Sequence, residues 1–323
     1  MTDSNPVRHI LKLGIPYVII LGLLLSYLGA WASGRHVSIF RDKYNEIIHP
    51  KENAELVILG DSYAEIGVNP MHLEVFNLRV FNFGYSGSPP SFFWDWYHKL
   101  FRAHYPRPKI VLYCVNWVMF TQDRKFEQDS VYFPAGLFWR ECFDPAVSKK
   151  ILWMNRFSVT KYGHEIIPDL MGIENDVLRS AYKGFHALPL RNNWLMHDKS
   201  TGKKSAPPAL QVNEDEIRIF DRLIDRIKED GITVIFVNMP NYIPESTAEE
   251  ERFRLKCKRM FYEMAKAKGI SLVDFSPPVS SSLTHDRTLY HDRHHLNGKG
   301  AQAFSKLLQE DLKDIFSPAE TRP

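Results

Sequence analysis

The residues able to do chemistry fall in two short stretches far apart in the chain. The first is Leu56-Val-Ile-Leu-Gly-Asp-Ser-Tyr63, an apolar run of strand type that stops at Gly60-Asp61 and sets the Ser62 hydroxyl at its end. The second is Tyr290-His-Asp-Arg-His-His-Leu-Asn-Gly-Lys-Gly300, which gathers imidazoles and a carboxylate in one loop. A serine is a weak nucleophile unless a base takes its proton, a third group orients the base and donors await the oxyanion. Asp292 stands three residues before His295, a spacing at which the carboxylate can hold one ring nitrogen while the other faces a serine. Oxyanion donors are available in two places. Glycines in Phe81-Asn-Phe-Gly-Tyr-Ser-Gly-Ser-Pro89 can turn a backbone N–H toward a substrate, and Asn116 carries a side-chain amide.

The same residues also admit plainer roles. Asn297 can cap the helix that follows it, and glycine turns and strand-end asparagines are common structural features. A metal is the sharper rival, because His285, His291, Asp292, His294 and His295 are all ligand types that zinc accepts. Neither an HExxH helix nor a CxxC pair accompanies them.

These groups must be positioned by a scaffold, and the hydropathy pattern supplies one. Strand-like runs occur at Leu56–Leu59, Val80–Phe83, Ile110–Val115, Thr233–Val237 and Ser271–Asp274, with helical periodicity between or after most of them. Five apolar strands alternating with helices predict an α/β fold with a parallel sheet, in which ligands sit beyond the carboxyl ends of the strands. Asn213-Glu-Asp-Glu216 resembles a capping box, ahead of apolar positions 217, 220, 223, 224 and 227 and the closing Gly231. A second amphipathic helix is expected from about Thr247 to Lys268. A last one spans 297–315, with Ala301, Phe304, Leu307 and Leu308 on its apolar face. Residues 117–211, between the third and fourth strands, are too many for an ordinary connection and read as an aromatic-rich insertion or lid.

Composition bounds what such a domain can be. The 323 residues, 44% hydrophobic, can bury a sizeable core. A net charge of +3 without a long basic run gives no indication of nucleic acid as a partner. Cys114, Cys142 and Cys257 make neither a metal knuckle nor a disulfide framework, and Cys114 reads as a small core residue. Residues 1–12 are polar, and Leu13 to Ala32 contain no charged side chain, a length that spans a bilayer. The cations Arg8 and Lys12 favour an amino terminus inside and the bulk outside the cytoplasm, in a periplasmic or extracellular setting. Ala30-Trp31-Ala32 offers the competing reading of a cleaved signal peptide. The expected organisation is a cytoplasmic 1–12, an anchor at 13–32, a polar stem at 33–53, a catalytic domain at 54–316 and a tail at 317–323.

Gly60-Asp61-Ser62, Gly87, Asn116 and Asp292-Arg-His-His295 together resemble the four-block pattern of the SGNH, or GDSL, hydrolase superfamily, over about residues 54–315 less the insertion. The third block departs from the family's Gly-x-Asn-Asp, reading Cys114-Val-Asn-Trp117, and Gly84 competes with Gly87 for the second. The resemblance implies a flavodoxin-like three-layer fold with Ser62 as nucleophile and Asp292 and His295 completing a triad. It also implies an oxyanion hole built from the Ser62 amide, Gly87 and Asn116. Joined to an amino-terminal membrane segment, such a domain looks like proteins of cell-envelope acylation. These include the D-alanyl transfer protein of teichoic-acid modification and the alginate O-acetylation proteins, which work beside membrane-bound O-acyltransferases. The implied reaction is acyl transfer through an acyl-serine, to an envelope glycan or to water, with no cofactor, metal or nucleotide required. A lipid or small-ester esterase and a non-catalytic glycan- or partner-binding domain stand as alternatives.

Overall fold

Five segments form one parallel sheet: four are buried almost throughout and can satisfy their backbones only against neighbouring strands, and the partly covered Ser271–Asp274 closes one edge. The computed structural model describes residues 39–121, 182–188, 211–277 except 245, and 281–316, together with Pro16, Tyr17, Ile20 and Leu21. In chain order the principal elements are α1 (Ile39–Ile48), β1 (Leu56–Leu59), α2 (Ser62–Gly67), β2 (Val80–Asn82), α3 (Pro90–Trp96), β3 (Ile110–Val115), α4 (Glu214–Glu229), β4 (Thr233–Asn238), α5 (Ala248–Lys268), β5 (Ser271–Asp274), α6 (Ser281–His285) and α7 (Gly298–Phe316). The chain divides into two compact units, Met1–Ser38 with Ser130–Asp176 and Ile39–Asp129 with Val177–Pro323. The first falls almost wholly outside the described residues, and the second carries the sheet.

The strand order is β2-β1-β3-β4-β5, all parallel. From β1 the chain steps outward to β2, then crosses back to β3 on the other side. The crevice at such a reversal, above the carboxyl ends of β1 and β3, is where open α/β sheets bind ligands. Strand bounds agree with the hydropathy reading to within a residue: β2 stops at Asn82 and β4 continues to Asn238.

Several details differ from expectation. The polar stem at 33–53 contains helix α1, whose Lys43, Glu46 and Ile47 are buried in the domain. The described fold therefore starts at Ile39, upstream of Ala54. Charge hid this helix, since Lys43 is buried only by virtue of a partner, Glu65, supplied by α2. Asn213 caps α4 by accepting from the amides of Asp215 and Glu216. The Glu216 carboxylate does not return to Asn213, however, and instead binds the amide and hydroxyl of Ser91 at the start of α3, so the capping box is half formed. A complete box opens α5, between Thr247 and Glu250. On α7, Leu307 is exposed and Leu312 joins Ala301, Phe304 and Leu308 in the core, the face drifting with the helical period.

The proposed insertion is tied to the domain at its start and again at Lys183 within it. Trp117–Phe120 form a short 3-10 turn with Trp117, Met119 and Phe120 buried, and Lys183 accepts from the Asn82 amide at the end of β2. Residues 122–181, which include Cys142, and 189–210 lie outside the described residues, as do 317–323. The expected span Leu13–Ala32 is also largely outside them. Its described residues Pro16, Tyr17, Ile20 and Leu21 are helical and exposed. Among the described residues no helix is long and apolar enough to cross a membrane.

Gly60 shows how tightly β1 hands over to the site. Its φ is +138°, and a Cβ there would stand 2.7 Å from the Cys114 carbonyl oxygen and 2.9 Å from Ala64 Cβ. Gly60→Ala is expected to destabilise the domain by about 2–4 kcal/mol, from backbone strain plus overpacking. A shift of the urea midpoint at unchanged slope would report it.

Candidate active site

Ser62 is the first residue of α2, presented immediately beyond β1 by the turn at Gly60-Asp61. Asp61 caps the helix by accepting from the Tyr63 amide at 3.0 Å. The second stretch enters the same edge from the far end of the chain. The Tyr290–Leu296 bridge and the His291 amide donating to the His295 carbonyl close its loop, and Asn297 secures the exit. The Asn297 amide group donates to the carbonyls of Thr288 and Tyr290, while its oxygen accepts from the Gly300 amide. The capping role read for Asn297 therefore coexists with whatever chemistry the loop performs.

The loop brings His295 Nε2 to 2.8 Å from Ser62 Oγ. His295 Nδ1 lies 2.8 Å from Asp292 Oδ2 and 3.0 Å from Oδ1. The backbone amides of His294 and His295 both donate to Asp292 Oδ1 at 2.8 Å, which fixes the carboxylate plane. Burial alone pushes the Asp292 carboxyl up. The His295 hydrogen bond and charge, with the two amides, outweigh it and hold the group well below the ordinary carboxylate range. An ionised carboxylate only accepts, so Nδ1 must carry the ring proton and Nε2 presents its lone pair to the Ser62 hydroxyl.

Asn116 ends β3 beside this pair, and its environment differs from a free amide awaiting substrate. Its oxygen accepts from the amides of Val118 and Met119, and Nδ2 donates to both oxygens of Asp61 at 2.9 and 3.0 Å. One hydrogen shared between two carboxylate oxygens meets both distances, leaving the second hydrogen of the NH₂ group without a partner among the described residues. Asp61 is fully enclosed. Desolvation raises its pKa, against the opposing pull of Asn116, the Tyr63 amide and His295. The polar character of Asp61 was visible in the sequence, but its pairing with Asn116 across 55 residues was not.

The two glycines of the second loop are now distinguishable. Gly84 donates its amide to Asn82 Oδ1 at 2.8 Å, and a Cβ there would stand 2.5 Å from the Glu65 nitrogen, so it serves close packing of loop against α2. Gly87 lies in the following turn at φ +70°. The loop runs alongside β1, with Phe83 and Tyr85 amides donating to the carbonyls of Ile58 and Gly60, and so arrives beside the Ser62 turn.

Tyr63 and His294 complete the surroundings and were not singled out for this role by the sequence. The Tyr63 hydroxyl is 3.1 Å from His294 Nδ1, and its ring centre lies 5.6 Å from that of His295. Burial, then the neighbouring His295, lowers the His294 pKa, which keeps a second cation away from the relay. Of the five zinc-type side chains, Asp292 and His295 are bound to each other and His294 to Tyr63. No group of three such ligands converges among the described residues.

No protein-family model and no curated protein matches this chain. Among solved structures it is similar to an acetylxylan esterase from Geobacillus stearothermophilus, at 13% identity and a TM-score of 0.42 over 83% of this chain and 96% of that one. It is also similar to a lipolytic protein of the G-D-S-L family from Desulfitobacterium hafniense, at 12% identity and 0.39 over 79% and 97%. An acylhydrolase from Bacteroides fragilis gives 12% identity and 0.41 over 86% and 95%.

Proposed function

We propose that this protein is a serine-dependent acyl-ester hydrolase or O-acyltransferase. The observation that carries the reading is the continuous relay from Ser62 Oγ through the His295 ring to Asp292, each link at 2.8 Å. In this reading Ser62 Oγ attacks the acyl carbonyl as its proton passes to His295 Nε2. The ester C–O bond then breaks, with that proton delivered to the departing alcohol oxygen. Water or a sugar hydroxyl, deprotonated by His295, attacks the acyl-Ser62 carbonyl and restores the serine. The oxyanion formed in both halves is held by the amides of Ser62 and Gly87 and by the uncommitted N–H of Asn116.

The finer reading places this chemistry outside the cytoplasm on an acyl group of an envelope glycan. The protein is anchored by Leu13–Ala32 and receives its acyl group beside a membrane-bound O-acyltransferase. What supports it is the uncharged twenty-residue segment ahead of a domain with a serine relay.

Asn116→Ala tests the oxyanion assignment. Turnover of 4-nitrophenyl acetate is expected to fall on the order of a hundredfold with KM little changed, because the donor acts on charge that develops only in the transition state. The variant should also lose stability, since Asp61 loses its buried donor. A folded Asn116→Ala with wild-type kcat would remove Asn116 from the hole. Chelator treatment should leave the activity intact, whereas loss restored by zinc would favour the metal alternative.

A further inference from the structure

An ion pair that no step above uses lies directly behind the nucleophile. Lys43 on α1 and Glu65 on α2 are both 0% exposed, with Nζ 2.7 Å from Glu65 Oε1. Glu65 is three residues beyond Ser62 on the same helix. Its other oxygen accepts from the Ser86 amide at 3.0 Å and from the Ser86 hydroxyl. Lys43 Nζ also donates to the Gly84 carbonyl and stands 4.9 Å above the Tyr85 ring. The pair therefore touches Gly84, Tyr85 and Ser86 in succession, the residues that lead directly into Gly87. A second tie runs parallel to it: Asn82 accepts from the Gly84 amide and donates to the carbonyls of Ala64 on α2 and of Val68 just beyond it.

Stability alone does not account for this arrangement. Withdrawing two charges from water costs about as much as their attraction returns, and an apolar pair of the same volume would hold α1 to α2 equally well. An apolar pair could not, however, grip backbone groups of the neighbouring loop. Burial pushes the Glu65 carboxyl up, but Lys43, then His186 and Ser86, bring it below its ordinary value, which favours the anion able to accept both Ser86 donors.

We propose that Lys43 and Glu65 are positioning residues that set the Ser86–Gly87 peptide against Ser62, so that the Gly87 amide meets the oxyanion. The inference rests on the reading of Ser62 as nucleophile and of the Gly87 amide as an oxyanion donor. It makes α1 part of the working enzyme: a segment that reads as a linker reaches the oxyanion loop through one lysine.

The test is the rate at which a fluorophosphonate captures Ser62. In that reaction the Oγ–P bond forms, the P–F bond breaks, the serine proton goes to His295 and fluoride leaves. The charge that builds on the phosphoryl oxygen needs the same donors as an ester oxyanion. In Lys43→Met/Glu65→Met, which buries no lone charge, the limiting rate of capture is expected to fall on the order of 10- to 100-fold. The half-saturating probe concentration should stay within about threefold of wild type, a split that loss of folded protein would not produce. Ser86→Ala, which removes one donor to Glu65 and leaves the ion pair in place, should show the same split at a smaller amplitude. A folded double variant with the wild-type limiting rate would overturn the proposal. Should the double variant not fold, Ser86→Ala at the wild-type rate would do so. A wild-type protein in which the probe leaves Ser62 unmodified would instead refute the nucleophile assignment.

Discussion

Ser62→Ala is expected to lower the turnover of a small acetyl ester by on the order of 10⁴-fold or more while leaving the fold intact. Ser62 Oγ has one role in the proposed reaction, forming the bond to the acyl carbon, and nothing adjacent can replace it. Tyr63, the nearest other hydroxyl in sequence, is buried. Desolvation, then the Asp61 and Asp292 carboxylates, pushes its pKa well above the ordinary phenol value, so it supplies no oxyanion nucleophile near neutral pH. The substitution deletes one oxygen at the start of α2, whose cap is made by Asp61, so stability should change little. Activity should be measured against wild type at equal folded concentration, and retention of most of it would exclude a covalent serine mechanism.

His295→Ala should fall as far as Ser62→Ala, because without the imidazole the serine keeps its proton and the leaving alcohol receives none. Asp292→Asn should be slower than wild type by on the order of 10²- to 10⁴-fold, yet above the other two. An amide in place of the carboxylate can offer a hydrogen to Nδ1, which selects the wrong tautomer and turns a protonated Nε2 toward Ser62. Its remaining oxygen can still accept from the two backbone amides, so the loop itself should keep its shape. The acid response has a definite sign. The Asp292 carboxyl is depressed, so its contribution to stability is present above the unfolded value near 4 and is lost only as pH falls toward the lower folded value. An activity loss between about pH 5 and 7 therefore does not report protonation of Asp292. If Asp292→Asn matched wild type at every pH, the orienting role would belong to another group.

What could be read from the sequence follows from how local each signal is. The strands were legible because parallel strands covered on both faces must be apolar throughout, as Leu56–Leu59 and Val111–Val115 are. The Asp292–His295 contact was legible because three residues separate its partners within one loop. Ser62 and His295 are 233 residues apart, and only the strand-end position of one and the loop chemistry of the other suggested that they meet. Lys43 was not legible: a lone lysine in a polar stretch reads as surface, and its burial is decided by Glu65 and Gly84, which are remote in sequence. Asn116 was identified as a donor, but its capping of Trp117–Phe120 and its hold on Asp61 depend on the packing of β1 against β3. Glu216 shows the same limit, since the local pattern pointed back to Asn213 and a tertiary contact with Ser91 won.

An acyl-Ser62 intermediate would be seen by mass spectrometry of protein quenched in acid during turnover of an acetyl ester, followed by mapping of the modified peptide. One acetyl group, carried by Ser62, is expected; it disappears in Ser62→Ala and accumulates when attack by water is slowed relative to acylation. Ester consumed at the wild-type rate by Ser62→Ala, or an acetyl group found on a different side chain that turns over with the substrate, would contradict an acyl-Ser62 intermediate.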